Sequence, residues 1–305
     1  MVITDMLINE IKSEMGGLRL LLSEPMRDHC SFRIGGRVKA MALPASAEEA
    51  EKLCRLLHRA GLRPLVIGKG TNLLVSDGDL DLFVVKMDEG MDRIDLLGEN
   101  GLRAGCGVPL ARLAQKAQSL GLSGLEFAHG IPGTLGGAVS MNAGAYGGEM
   151  KDVTRLTRYL GEDMEIHEKK DAEQGFSYRR SAFSGTGDVI LESVFELCPG
   201  DPDEIRARMQ ALSEKRRASQ PLDVPSAGST FKRPEGGYAA ALIDQAGLKG
   251  FSVGGAQVSP KHAGFVVNRG GATFDDVVRL IAYIQETIYN RSGVMLEPEV
   301  KIIRG

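Results

Sequence analysis

Two hydrophobic periods divide this chain. Helical spacing is clear after Ser46, where Leu53, Leu56, Leu57 and Ala60 share one side, Glu49 completes a capping box with Ser46, and Gly61 closes the element. It recurs after Pro109, read near the first helical position, at Leu110, Leu113, Ala114 and Ala117, with Gly121 as the stop. Further helices are expected from Asp203 to Ser219, from Tyr238 to Ala246 before Gly247, and from a Thr273 cap, with Asp276 in the first turn, to about Tyr289. Residues 1–23, with Leu7, Ile8, Ile11 and the apolar stretch from Leu18 to Leu22, read as one more helix. Short apolar or alternating runs predict strands at Val38–Leu43, Leu65–Ile67, Leu73–Val75, Leu82–Met87, Leu102–Ala104, Val189–Leu197, Val253–Val258 and Phe265–Val267. A hairpin about Gly161 joins Thr154–Leu160 to Met164–His167, ahead of a charged surface run, and a last strand, Val294–Ile303, is interrupted at Glu297-Pro298-Glu299. Strands and helices mix without regular βα alternation, so the fold class expected is α+β.

One stretch obeys neither period. From Gly124 to Gly148 the chain reads GLEFAHGIPGTLGGAVSMNAGAYGG, with eight Gly among 25 residues and Glu126 as its only formal charge. Gly is unfavourable inside a helix and Pro132 interrupts the hydrogen-bond ladder, so no ordinary helix is expected there. Interleaved Leu, Phe, Ile, Val, Met and Tyr argue against disorder. What remains is buried backbone that bends sharply and approaches a partner closely. Such loops present N–H groups to phosphate, whereas tight turns in a core are the plainer alternative. A second glycine loop, Gly68-Lys69-Gly70-Thr71-Asn72-Leu73, follows the strand Leu65–Ile67 directly. It has neither P-loop spacing nor the GxGxxG fingerprint. Alone it is no more than a turn; paired with the first it points to a dinucleotide-type ligand.

Composition narrows the class without choosing the chemistry. The 305 residues are 43% hydrophobic and 25% charged, with formal net charge −3. That is ordinary for a soluble protein able to bury a core unaided, and gives no reason to expect nucleic acid. Cys30, Cys54, Cys106 and Cys198 are dispersed and the five His form no ligand pattern, so neither disulfides nor a metal site is expected. No secretory leader or transmembrane run is read, which fits a cytoplasmic protein away from membranes.

Three segments set polar residues among small or apolar ones. In FSYRRS, Tyr178 and Arg179 offer a guanidinium for a carboxylate, phosphate or oxyanion, unless Arg179 is simply a surface ion-pair partner. In GSTFK, Ser229 serves either as a proton donor or as a turn cap; no nucleophile elbow surrounds it. In LEPEV, Glu297 and Glu299 stand two apart, and one of them on an apolar strand is a candidate general acid. His262, in SPKHAGF, is a further ligand contact candidate; His129 reads better as turn or core packing.

Taken in order, SFRIGG at 31–36, GKGTNLLVSD at 68–77, LEFAHGIPGTLGGAVSMNAGAYG at 125–147, FSYRRS at 176–181, GSTFKRP at 228–234 and LEPEVKII at 296–303 resemble the UDP-N-acetylenolpyruvoylglucosamine reductase (UDP-N-acetylmuramate dehydrogenase) family, across most of the chain. The shorter branch, without an extra substrate-capping loop, is the better match, because only 50 residues separate Arg179 from Ser229. The resemblance implies a vanillyl-alcohol-oxidase-type FAD fold: FAD-binding subdomains at 1–88 and 89–200, and a substrate-binding domain at 201–305. It implies non-covalent FAD, NADPH as co-substrate, and reduction of UDP-N-acetylglucosamine enolpyruvate to UDP-N-acetylmuramate for peptidoglycan synthesis, by a monomer. Ser229 then resembles the proton donor, and Arg179 with Glu299 the pair stabilising the enol-like intermediate. FAD falls to Gly68, Lys69, Gly70, Thr71, Asn72 and Leu73, to Ile131, Pro132, Gly133, Gly136 and Gly137, and to Asn142, Ala143, Gly144 and Ala145. Substrate falls to Tyr178, Lys232, Arg233 and His262. Cys30, Thr71 and Arg233 depart from the family pattern, and the longer, charged fork of Arg233 puts one expected substrate contact in question. Competing readings are an FAD oxidase of small hydroxy acids and a non-catalytic nucleotide-binding protein.

Overall fold

The computed structural model describes residues 3–304; Met1 and Val2 of the expected first helix and Gly305 of the expected third domain lie outside the described residues. The chain divides into two compact units, Met1–Leu22 with Ala40–Lys69 and Asp81–Lys215, and Ser23–Lys39 with Gly70–Leu80 and Arg216–Gly305.

In the first unit, helix α1 (Asp5–Glu14) starts where the Thr4 hydroxyl accepts the Leu7 amide at 3.3 Å, and it buries Leu7, Ile8 and Ile11. It ends before Gly16-Gly17. The apolar residues that follow belong to a strand, Arg19–Pro25, so the expected 23-residue helix is really a helix and a strand. Helix α2 (Ala47–Arg59) has its Ser46 cap, with the Ser46 hydroxyl accepting the Glu49 amide. The Glu49 carboxylate accepts from Ala45, one residue before the cap, so the expected box closes further out. Arg19–Pro25, Arg37–Leu43, Leu80–Lys86 and Leu65–Ile67 form one four-stranded sheet in that order, the last pair parallel.

Helix α3 (Leu110–Ser119) has Pro109 as its cap rather than its first residue, and buries Leu110, Leu113, Ala114 and Ala117 as expected. The glycine run does contain a helix, α4 (Leu135–Ser140), against expectation. It is under two turns long, so the Gly penalty is small. Its first amides are satisfied from outside: Leu135 donates to the Val108 carbonyl at 2.9 Å and Gly136 to the Cys106 carbonyl at 2.8 Å. An antiparallel sheet orders Ile166–Lys170, Thr154–Leu160, Val189–Glu196, Gly101–Gly105 and Ile94–Leu97. The hairpin at Gly161 was expected; the edge strand Ile94–Leu97, short and half-exposed, was not. Helix α5 (Pro202–Ser219) buries Ile205 and Met209. One core, including Leu53, Leu57, Phe83, Leu102, Leu113 and Phe195, underlies these elements.

The second unit has its own core. Helix α6 (Ala239–Gln245) is short. Helix α7 (Phe274–Ser292) starts with both halves of a Thr273–Asp276 capping box and buries Phe274, Val277, Leu280, Ile281, Ile284 and Ile288. Each large apolar side chain so buried contributes about 1.5–3 kcal/mol relative to exposure. Ser226–Ser229, Phe265–Asn268, Ala256–Val258 and Ser252–Val253 make a four-stranded antiparallel sheet. The single strand expected over Val253–Val258 is instead a hairpin, folded at Gly254, which takes φ +52°. The expected last strand contracts to Lys301–Ile303, parallel to Leu73–Val75, because Pro298 leaves a single bridge to Phe231. Among the described residues no helix is long and apolar enough to cross a membrane.

Candidate active site

The first unit assembles Gly68, Lys69, the glycine run and FSYRRS. A Cβ at Gly68 would stand 2.0 Å from Oγ1 of buried Thr134, so glycine there lets the loop pack onto the start of α4. Within α4 the adjacent glycines face different surroundings. A Cβ at Gly136 would lie 3.0 Å from Cys106 Cβ, whereas nothing stands within 4 Å of one at Gly137, which is exposed. Gly133 takes φ +128° and its carbonyl accepts the Leu110 amide. Ile131 donates to Ala128, and the half-buried chain from Ile131 through exposed Pro132 leads into Thr134.

Asn142 is fully buried with φ +46°. Its side-chain amide donates to the Glu149 carboxylate at 2.7 Å and the Ser177 carbonyl at 2.9 Å, and its side-chain oxygen accepts the Lys151 amide at 2.9 Å. Its side chain is therefore structural, and its backbone is what the next residues, Ala143, Gly144 and Ala145, continue. Tyr178 and Arg179 form the tip of a tight turn closed by Ser177 and Arg180. Arg179, at φ +54°, is half-buried and donates to the Gly144 carbonyl at 3.2 Å; its guanidinium lies 5.1 Å from the Tyr178 ring centre. Ser181 adds a bond to the Ser140 carbonyl at 2.8 Å. The structure thus brings the guanidinium candidate onto the glycine run, which no local pattern announced.

Both carboxylates bordering the run are committed inside the protein. Burial alone raises the Glu126 carboxyl. Hydrogen bonds from its own amide, the Gly124 amide, the Ser123 hydroxyl and Arg208 outweigh this and hold it below its usual range. Glu149 is shared by Asn142 and Lys151. A stretch with an open glycine, Gly137, and no uncommitted negative charge fits a pyrophosphate-bearing cofactor.

The second unit holds Gly70 to Leu73, Ser229, Lys232, Arg233, His262 and Glu299. Gly70, at φ +61°, packs against the His29 carbonyl, 2.2 Å from where a Cβ would be. Thr71 is half-buried, and Leu73 opens the parallel ladder opposite Lys301. Asn72 donates through its side chain to the Glu299 carbonyl at 3.1 Å. Glu299 in turn donates its amide to the Thr230 carbonyl at 2.8 Å, beside exposed Ser229. Thr230 is a buried hub that sequence reasoning passed over. Its amide donates to Gly264, and its hydroxyl accepts the Val266 amide at 3.0 Å.

Glu297 and Glu299 differ in setting. Glu297 is exposed and ion-paired with Lys232 across the bridge; Glu299 is half-buried. The Arg233 guanidinium lies 4.4 Å from the Tyr238 ring centre. His262 accepts the Gly264 amide on Nδ1 at 3.1 Å and meets Phe265 edge-on, the residue paired with Ser229. Burial, opposed by a backbone hydrogen bond and helped by the Lys249 charge, pushes its pKa below the ordinary value; with Nδ1 accepting from Gly264, the proton of the neutral ring belongs on Nε2.

Known proteins fit this arrangement. A family model described as an FAD binding domain matches residues 38–163, and one described as the C-terminal domain of UDP-N-acetylenolpyruvoylglucosamine reductase matches residues 220–303. The fold is an α+β FAD-binding architecture of the vanillyl-alcohol-oxidase type, and the protein is an FAD-binding oxidoreductase. The chain is 44% identical to the UDP-N-acetylenolpyruvoylglucosamine reductase of Caldanaerobacter subterraneus, over 98% of each sequence. It is 46% identical to that of Latilactobacillus sakei, over 92% of each. The crystal structure of the Thermus caldophilus enzyme superposes with TM-score 0.80 at 34% identity, covering 94% of this chain and 99% of that one. This chain belongs to the UDP-N-acetylenolpyruvoylglucosamine reductase family.

Proposed function

We propose that this protein reduces the enolpyruvyl group of UDP-N-acetylglucosamine enolpyruvate to give UDP-N-acetylmuramate, with NADPH as reductant, as a cytoplasmic monomer in peptidoglycan precursor synthesis. In this reading 1–88 and 89–200 serve as FAD-binding subdomains and 201–305 as the substrate domain. By packing, 23–39 and 70–80 fold with the last third of the chain. When bound, the flavin relays hydride from NADPH to one carbon of the substrate double bond. The chain's own residues supply the rest. Gly68 to Leu73, Ile131 to Gly137 and Asn142 to Ala145 hold the cofactor. Arg179 and Glu299 stabilise the charge that develops on the substrate carboxylate, and Ser229 Oγ delivers a proton to the other carbon. Tyr178, Lys232, Arg233 and His262 contact the sugar nucleotide.

The observation that carries this reading is the backbone bond setting Glu299 against Thr230, next to Ser229, in a chain 44% identical to a reductase over 98% of its length. The test is NADPH oxidation by purified protein that releases FAD on denaturation. Oxidation that requires the enolpyruvyl sugar nucleotide is expected. Turnover with small hydroxy acids in its place, or binding without turnover, would replace the proposal.

A further inference from the structure

We infer that Asn72 is a positioning residue for Glu299: its side chain serves the acid candidate rather than the cofactor. The inference rests on the function proposed above. The ladder between Leu73–Val75 and Lys301–Ile303 begins at the pair Leu73 and Lys301. Lys301 donates its amide to the Asn72 carbonyl at 3.0 Å. One step earlier the loop has left strand geometry. The Asn72 side-chain amide fills that place at 3.1 Å, extending the ladder by one bond. On the other flank the Glu299 amide donates to the Thr230 carbonyl at 2.8 Å. Glu299 is therefore held at both its amide and its carbonyl by two different segments, one of which carries Ser229. Thr230 itself is locked by Gly264 and by Val266. Releasing the Asn72 bond frees the Glu299 backbone on one side. A carboxylic acid that must donate to a developing negative charge loses efficiency when it is misplaced, and misplacement by about 1 Å lowers rates by up to about 100-fold.

Asn72→Asp keeps the shape and replaces the donor by an acceptor. Because Asn72 also lies in the loop assigned to the cofactor, rates are taken per bound flavin. The expected result is NADPH-driven flavin bleaching within about twofold of the parent. Reoxidation by the enolpyruvyl sugar nucleotide should slow by about 10- to 100-fold, carried by kcat, with KM changed by less than about threefold. Asn72→Gln, which keeps a donor, should recover part of the loss. The discriminating measurement is a double-mutant cycle: if Asn72 acts through Glu299, then Asn72→Asp added to Glu299→Gln slows reoxidation no further. Additive losses in the cycle, or Asn72→Gln no better than Asn72→Asp, would each overturn the inference. Parent protein that fails to oxidise NADPH with this substrate would instead overturn the proposed function. Flavin content and the thermal midpoint of the variants remain readable in that case.

Discussion

The two units present their candidate residues in opposite ways. In the first, the material is backbone. Glycines at 68, 133, 136 and 137 and the buried Asn142 shape this region, with the carboxylates Glu126 and Glu149 tied up in bonds within the protein. In the second, the material is side chains on short bridged segments: Ser229, Glu299, Lys232 and His262, each next to a backbone bond that fixes its segment. The contrast teaches that binding and proton chemistry place different demands on a chain. A cofactor phosphate needs backbone that can come close, and here that closeness is achieved by leaving out side chains. A proton donor and an acid need Cα positions that do not wander, and on the proposed reading the hydrogen bond from the Glu299 amide to the Thr230 carbonyl, beside the Phe231–Pro298 bridge, supplies that. The first kind of site should therefore fail by losing cofactor, the second by losing rate.

The largest effect short of removing the proton donor is expected at Glu299. Glu299→Gln should lower turnover by about 100- to 1,000-fold with flavin retained, while Glu297→Gln, which only opens an exposed ion pair, should stay within a few-fold; steady-state kinetics on both variants decides between the two carboxylates. If Glu297→Gln is the slower variant, the assignment moves to it.

The glycine pair in α4 gives the next largest. Gly136→Ala presses on Cys106 and should destabilise the flavin-free protein by about 1 kcal/mol, through overpacking. Gly137→Ala meets no protein atom and should leave flavin-free stability equal or up to about 1 kcal/mol higher, since Ala favours helix. Its loss should appear as flavin absorbance per protein after gel filtration. Full flavin retention by Gly137→Ala would show that this face is not where the cofactor lies, and would remove half of the contrast between the units.

The smallest concerns His262. Its folded pKa lies below the ordinary value, so between about 6.5 and that lower value the unfolded chain takes up a proton that the folded one does not. Stability contributed by the neutral ring is present above about pH 6.5 and is lost as the pH falls. Denaturant midpoints across this window should drop less steeply for His262→Gln than for the parent; equal slopes would mean the ring is not desolvated.

Much of this molecule could be read in advance, and the failures have definite physical sources. Helices with caps and a regular apolar face, α2, α3 and α7, lie close to where spacing placed them, because their signals are local. The errors fall where local signals are degenerate. Leu18 to Leu22 is apolar without a period, and the break at Gly16-Gly17 decided for a strand. Val253 to Val258 reads as one run until Gly254 folds it back. The glycine run hid a helix of six residues, stabilised from outside by Val108 and Cys106. For the site, residue types and segments were legible, but their connections were not. The bond from Asn72 to Glu299 spans 227 positions, and the one from Arg179 to Gly144 spans 35. Nor does sequence distinguish Gly136, closed off by protein, from Gly137, which is open.

The central claim is that the first unit's backbone holds cofactor while Ser229 delivers the proton. The measurement closest to it is stopped-flow absorbance of the two half-reactions of Ser229→Ala. Flavin bleaching by NADPH should run at the parent rate, and reoxidation by the enolpyruvyl sugar nucleotide should slow by about 100- to 10,000-fold, the range for loss of a general acid. Reoxidation at the parent rate would contradict the proton-donor role and with it the division of labour between the two regions.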